Sequence, residues 1–115
     1  MFVYFFDHRT PFSPEGASHG AEMSYVFGNL NGFGGAPTAA DVALSDLMST
    51  CWVNFATTGD PNGPGLPNWP VFTATAQNVM FFDGDASARA LPNQDKLKAL
   101  DGYYAWRREE ARKKR

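Results

Sequence analysis

Ser18 and His19, two side chains capable of hydrolytic chemistry, are neighbours in the segment from Gly16 to Gly20. The spacing matches the pattern G-x-S-x-G, in which a sharp turn between a strand and a helix exposes a serine nucleophile. The segment can also be interpreted as a loop that presents His19, whose ordinary pKa is about 6.5, as a general base to a distant serine. The first interpretation predicts a complete small hydrolase, and the second predicts one part of a larger enzyme.

The residues around Ser18 disfavour the first interpretation. A nucleophile turn follows its strand directly and precedes the catalytic histidine in the chain. Here a loop with two prolines separates Ser18 from the preceding apolar run, and no histidine follows His19. The other histidine, His8, lies upstream, and we expect it to bind nearby backbone at the end of a strand. An autonomous Ser18 hydrolase would therefore need an unusual topology.

Cys51 is the only cysteine of the chain. This excludes an internal disulfide and a cysteine-based zinc site. Because Cys51 falls on an apolar helix stripe, we expect a core thiol rather than a nucleophile. No ligand-type residues have the spacing of a metal site, so the sequence predicts neither a metal nor a cofactor.

Two unbroken apolar runs predict the strands of the fold. Residues 1–6 and 78–82 are rich in aromatic and branched side chains, as is typical of parallel strands covered on both faces. With a long helix between them they form a crossover unit, which is right-handed in nearly every known case. The glycine-rich residues 29–37 predict a surface connection to which we assign no chemistry.

Helical spacing of apolar residues predicts a long helix over residues 38–58. It begins at a threonine that can act as the N-cap, with Asp41 in the place of its capping-box partner, and Gly59 ends it. A short helical turn is expected at residues 22–27, and a final helix starts from about Asn93. The chain is thus predicted to be a single α/β unit.

Charge is distributed unevenly over the 115 residues, whose formal net charge is −2. Six of the ten Lys and Arg lie in residues 107–115, which we predict to be a solvated, charged helical tail. The remaining body has four Lys and Arg against ten Asp and Glu, which argues against a nucleic-acid surface. No apolar run approaches the roughly 18 residues of a membrane span, so no membrane partner is predicted. The sequence leaves the compartment open.

Several spaced motifs together resemble one protein family. Residues 16–28 resemble the histidine loop of type-B carboxylesterases, the α/β-hydrolase family that includes the cholinesterases. The flanking segments occur in the order of that family: residues 5–9 are similar to the strand before the loop, and residues 44–62 are similar to a late helix and its T-G-x-P-N end. Residues 69–72 and 79–83 follow in the same order.

The resemblance implies that residues 1–115 form the C-terminal part of a type-B carboxylesterase domain. The expected order is strand, histidine loop, helix, strand and C-terminal helix, with both long helices packed on the sheet. His19 matches the triad histidine, and Glu22 matches an acidic residue that supports it by hydrogen bonding. At a helix start, Glu22 can instead serve only to complement the helix dipole.

The triad serine, the oxyanion hole and the triad acid of that family lie earlier than the matched segment. The resemblance therefore implies a partner, the missing N-terminal part of the same fold, and a small-molecule ester as substrate of the intact enzyme. Alone, the chain is expected to be inactive. The alternative is a non-catalytic, cholinesterase-like interaction module, which needs neither serine nor acid.

Overall fold

A three-stranded sheet forms the centre of the fold in the computed structural model, which describes residues 1–31 and 35–115. Its strands are β1 (Tyr4–Phe6), β2 (Asn78–Phe82) and β3 (Ala86–Ala90), in the order β1-β2-β3. β1 and β2 are parallel, as the sequence predicts, with Phe5 opposite Phe81. The predicted glycine-rich connection includes residues 32–34, which lie outside the described residues.

The strand β3 was absent from the sequence-based prediction. It pairs antiparallel with β2 through a tight turn in which Gly84 has a φ of 97°. This left-handed conformation favours glycine. An Asp-Gly pair after an apolar strand is a known hairpin signal, but the run Ala86–Ala90 is short and weakly apolar. The predicted order of elements therefore lacked one strand.

The long helix α2 (Ala39–Thr58) lies where the sequence predicts it. The side chain of Thr38 accepts a hydrogen bond from the Asp41 backbone, and the Asp41 carboxylate accepts one from the Thr38 backbone. This reciprocal capping box satisfies two amide groups that a helix start leaves without partners. Gly59 ends the helix in the left-handed conformation, with a φ of 79°.

The hydrophobic core lies between α2 and one face of the sheet. Met48 of α2 and Met80 and Phe82 of β2 are among its fully buried side chains. Trp69 closes one end, where its indole Nε1 donates to the Val3 carbonyl over 3.1 Å. Burial of this set of large apolar side chains is what fixes the helix across the sheet.

The irregular segment after α2 is held by Asn62. Its side-chain oxygen accepts from the Trp69 amide over 2.6 Å, and its side-chain nitrogen donates to the Trp69 carbonyl over 2.9 Å. These two bonds supply the backbone partners that a proline-rich segment cannot obtain from regular structure. The T-G-x-P-N motif therefore ends the helix and also places the core tryptophan.

Two expectations about packing were wrong. The final helix, α3 (Gln94–Lys113), buries none of its residues, so only one of the long helices packs on the sheet. The first strand is not covered on both faces, because Tyr4 and Phe5 are 36% and 37% exposed. Within the described residues β1 pairs only with β2, which leaves its other edge open.

None of the helices in residues 1–31 and 35–115 combines the length and the apolar character required to cross a membrane.

Candidate active site: the histidine loop

His19 lies near the end of the loop that joins β1 to the short helix α1 (Glu22–Val26). The Ala21 amide donates to the Ser18 carbonyl over 3.1 Å and closes a turn. Gly20, the third residue of this turn, has a φ of 78°, which a glycine adopts without strain. The turn leaves the His19 imidazole exposed, with no hydrogen bond to any described residue. Its geometry suits a base that meets its partners outside this loop.

Glu22 is the first residue of α1 and accepts a hydrogen bond from the Tyr4 hydroxyl of β1 over 3.3 Å. Burial and the nearby Glu22 carboxylate raise the pKa of Tyr4, so the phenol remains a neutral donor. Glu22 therefore connects the far end of the histidine loop to the first strand. The supporting role of Glu22 toward His19 remains a prediction.

Ser18 is exposed in the same loop as His19. The loop between β1 and α1 spans residues 7–21, so no strand leads directly into Ser18. A nucleophile turn requires such a strand. The local fold thus gives Ser18 none of the geometry that the G-x-S-x-G pattern normally signals.

A largely buried polar cluster joins the end of β1, the helix α1 and the start of α2. His8 follows β1, and its Nε2 atom lies 2.7 Å from Asp41 Oδ1 at the start of α2. The Tyr25 hydroxyl of α1 donates to the same carboxylate oxygen over 2.9 Å. His8 is only 9% exposed, and its Nδ1 atom is buried near Gly84 without a partner among the described residues. The expectation that His8 binds nearby backbone was wrong.

The Asp41 carboxylate is the electrostatic centre of this cluster. Burial raises its pKa, but hydrogen bonds from Thr38, His8 and Tyr25 lower it more, so the net pKa lies well below the ordinary value. The pKa of Tyr25 is raised by burial and by its bond to the carboxylate. These pKa shifts favour an ionised Asp41 and a neutral Tyr25 at neutral pH.

The sequence indicated only part of this cluster. It predicted Asp41 as the capping-box partner of Thr38, and in the structure Asp41 Oδ2 accepts hydrogen bonds from Thr38. Its second oxygen, Oδ1, is free to bind His8 and Tyr25, which are 33 and 16 residues away. No local spacing rule connects residues so far apart in the chain.

A cavity of about 260 Å³ lies between the loop and the start of α2. Ser18, His8, Tyr25 and Asp41 line it together with apolar side chains, whereas His19 does not. Cys51 lies elsewhere, in the core, where burial raises the pKa of its thiol and disfavours the reactive thiolate.

Among the described residues, no three His, Cys, Asp or Glu side chains are grouped so that they could hold a metal ion.

A parallel strand pair, a crossover helix and a loop with an exposed histidine after the first strand are consistent with part of an α/β-hydrolase fold. Residues 1–100 match the model described as the carboxylesterase family. The chain belongs to this family, the type-B carboxylesterases and cholinesterases.

Individual relatives support the same assignment. Carboxylesterase 5A of Canis lupus familiaris is 40% identical, and the match covers 65% of this chain and 15% of the relative. Cholinesterase of Mus musculus is 37% identical, with 75% of this chain and 15% of the relative covered. The solved structure of a PNB esterase superposes with a TM-score of 0.74 at 29% identity, over 86% of this chain and 21% of that one. The chain therefore spans about one fifth or less of the length of these proteins.

Proposed function

We propose that this chain supplies the catalytic histidine, His19, of a serine carboxylic-ester hydrolase. The observation that carries the proposal is the place of His19, in an exposed turn of the loop that leaves the carboxyl end of a parallel strand. In α/β-hydrolases a histidine in such a position reaches the serine nucleophile across the strand ends. The match to the carboxylesterase family over residues 1–100 supports this role.

The proposed reaction divides the triad between this chain and the remaining part of the fold. His19 takes the proton of a serine hydroxyl as that oxygen attacks the ester carbonyl, and it then gives the proton to the leaving alcohol. In the second half, His19 deprotonates the water that attacks the acyl-enzyme, and the proton returns to the serine when the acid is released. The serine, the oxyanion hole and the triad acid come from residues outside these 115.

The open edge of β1 supports docking of that remaining part. Within the described residues β1 has only one neighbouring strand, and Tyr4 and Phe5 are both more than a third exposed. A sheet edge with unpaired backbone groups and aromatic side chains is a natural site for a further strand. The missing N-terminal part of the same fold is the partner that we propose for it, with a small-molecule ester as substrate.

The test uses a chimera in which this chain replaces the structurally equivalent 21% of the PNB esterase. We expect the chimera to release p-nitrophenol from p-nitrophenyl butyrate and the isolated chain to be inactive. His19→Ala should lower kcat of the chimera by about 10⁶-fold, because triad residues act as a unit. Ser18→Ala is the matched control and should leave kcat unchanged.

Two results would overturn the proposal. Activity of the isolated chain that Ser18→Ala abolishes would identify an autonomous hydrolase. A chimera that unfolds cooperatively and is active with or without the His19 imidazole would remove His19 from the reaction. A folded but inactive chimera would favour the alternative, a non-catalytic interaction module.

A further inference from the structure

We infer that Asp7 is a positioning residue for His19, because its carboxylate fixes the point at which the histidine loop leaves the sheet. The inference rests on the proposed function of His19 as the catalytic base. Asp7 directly follows β1, so the carboxylate lies at the strand end from which the loop starts.

The backbone of Asp7 is itself held by the sheet. Its amide donates to the Phe82 carbonyl over 2.9 Å and extends the hydrogen bonding between β1 and β2 by one residue. Phe82 is fully buried in the core. The side chain of Asp7 is therefore attached to a part of the molecule that core packing fixes.

From this fixed point the carboxylate reaches the loop. Asp7 Oδ1 accepts a hydrogen bond from the Ala17 amide over 3.3 Å. Among the hydrogen bonds of the described residues, this is the only one that joins residues 10–20 to the residue directly after β1. The remaining bonds of this segment join it to itself or to the first residues of α1. Loss of the Asp7 carboxylate would therefore release the loop from the strand end.

Gly16 shows that this contact requires a close approach. Its φ is 135°, and a Cβ atom at this residue would lie 2.8 Å from Asp7 Oδ1. Such a distance is too short for a carbon and an oxygen that are not bonded, so a side chain at residue 16 would displace the carboxylate. The first glycine of the apparent G-x-S-x-G pattern thus has a role unrelated to a serine nucleophile: it lets the loop backbone pass over Asp7.

The second carboxylate oxygen of Asp7, Oδ2, has only one weak contact among the described residues, so it does not compete with the bond to the Ala17 amide. Arg9 Nη2 is 3.8 Å from Asp7 Oδ2, and the Arg9 side chain is 63% exposed. Exposed pairs at such a distance contribute little, so the Ala17 amide is the principal partner of the carboxylate.

Ala17 precedes His19 by two residues, so a shift of the anchored amide is transmitted directly to the base. Displacement of a catalytic group by about 1 Å can cost about 100-fold in rate. Because Asp7 makes no proposed contact with substrate, its removal should lower kcat and leave KM almost unchanged.

The test measures kcat and KM of the chimera described above. We expect Asp7→Ala to lower kcat by about 100-fold, and Asp7→Asn, which keeps an oxygen acceptor, to restore most of it. The matched control is Asp83→Ala, because Asp83 directly follows the neighbouring strand β2 but binds Arg89 rather than the loop. A kcat of Asp7→Ala equal to that of the control would overturn the inference.

The two proposals fail separately. If His19→Ala abolishes activity while Asp7→Ala does not, only the positioning role is lost; if His19→Ala is active, the proposed function itself fails. A measurement on the chain alone tests the contact without catalysis. Exchange of the Ala17 amide with solvent deuterium, followed by NMR, should be faster in Asp7→Ala than in Asp83→Ala, and equal rates would refute the contact.

Discussion

The two histidines of this chain lie in opposite environments. His8 is 9% exposed and bonded to a buried carboxylate that also binds Tyr25. His19 is exposed at the tip of a turn and bonded to no described residue. His8 connects the end of β1 to α2 through Asp41, which Tyr25 of α1 also binds. The Asp–His pair of this chain therefore has a structural place, and the exposed histidine is the one to which we assign a catalytic role in our proposal.

Three contacts hold the loop and the helix that follows it. Ala17 of the loop is bound by Asp7, and two residues of α1, Glu22 and Tyr25, are bound by Tyr4 and Asp41. Each contact lies at a distance of two to six residues from His19. The base that we propose His19 to be would need a fixed backbone and an unobstructed imidazole, because it would move a proton in two directions.

Removal of the His8 side chain should have the largest effect on stability. His8→Ala removes one member of a largely buried pair, in which the side chains are 9% and 13% exposed, and leaves Asp41 Oδ1 with Tyr25 alone among the described residues. We therefore expect a loss of about 3 kcal/mol in the free energy of unfolding. His19→Ala should change it by less than about 0.5 kcal/mol, as for other exposed side chains. Urea unfolding followed by circular dichroism measures both. Equal losses would show that the two histidines do not differ in this way.

Acid should affect the His8 region through Asp41. The pKa of Asp41 in the folded protein lies below its ordinary value, so its contribution to stability is complete above the unfolded pKa of about 3.9 and is lost as the pH falls below about 4. Asp41→Asn should be less stable at neutral pH and should lose less stability on acidification. Thermal unfolding of both proteins between pH 7 and pH 3 provides the measurement. Parallel curves would exclude Asp41 as the titrating group.

Local sequence signals were sufficient for the elements that the chain builds from neighbouring residues. Thr38 and Asp41 marked the start of α2, Gly59 marked its end, and the apolar run 78–82 marked β2. The strand β3 was missed because its residues carry little apolar signal and form a strand only by pairing with β2. Hydrogen bonding across a sheet is a property of the fold rather than of the segment.

The same limit applies to the site. His19 is predicted from the sequence because the loop motif surrounds it, and its role stays a prediction. The contacts of His8 and Asp7 could not be predicted, because each depends on which residue comes within hydrogen-bonding distance in the folded chain. Only the topology brings Asp41 to His8, and Ala17 to Asp7.

A smaller effect is expected at the helix cap that orients Asp41. Thr38→Ala removes a side chain that accepts from the Asp41 amide over 3.1 Å and donates to its carboxylate over 2.7 Å. Loss of such a cap costs about 1 kcal/mol. Thr50→Ala, in the exposed middle of the same helix, is the control and should cost nothing measurable. If both variants are equally stable in urea, the capping box does not contribute to holding the His8 cluster.

The smallest effect on stability is expected in α3, which, like His19, is exposed. Leu100 is 52% exposed and belongs to a helix with no buried residue, so Leu100→Ser should change the unfolding free energy by less than about 0.5 kcal/mol. Leu44→Ala in α2, where the leucine is 3% exposed, should cost about 3 kcal/mol in the same urea titration. A large loss in Leu100→Ser would mean that α3 folds back onto the sheet. A small loss of stability in the isolated chain together with a large loss in the chimera would instead mean that Leu100 packs against the remaining part of the fold.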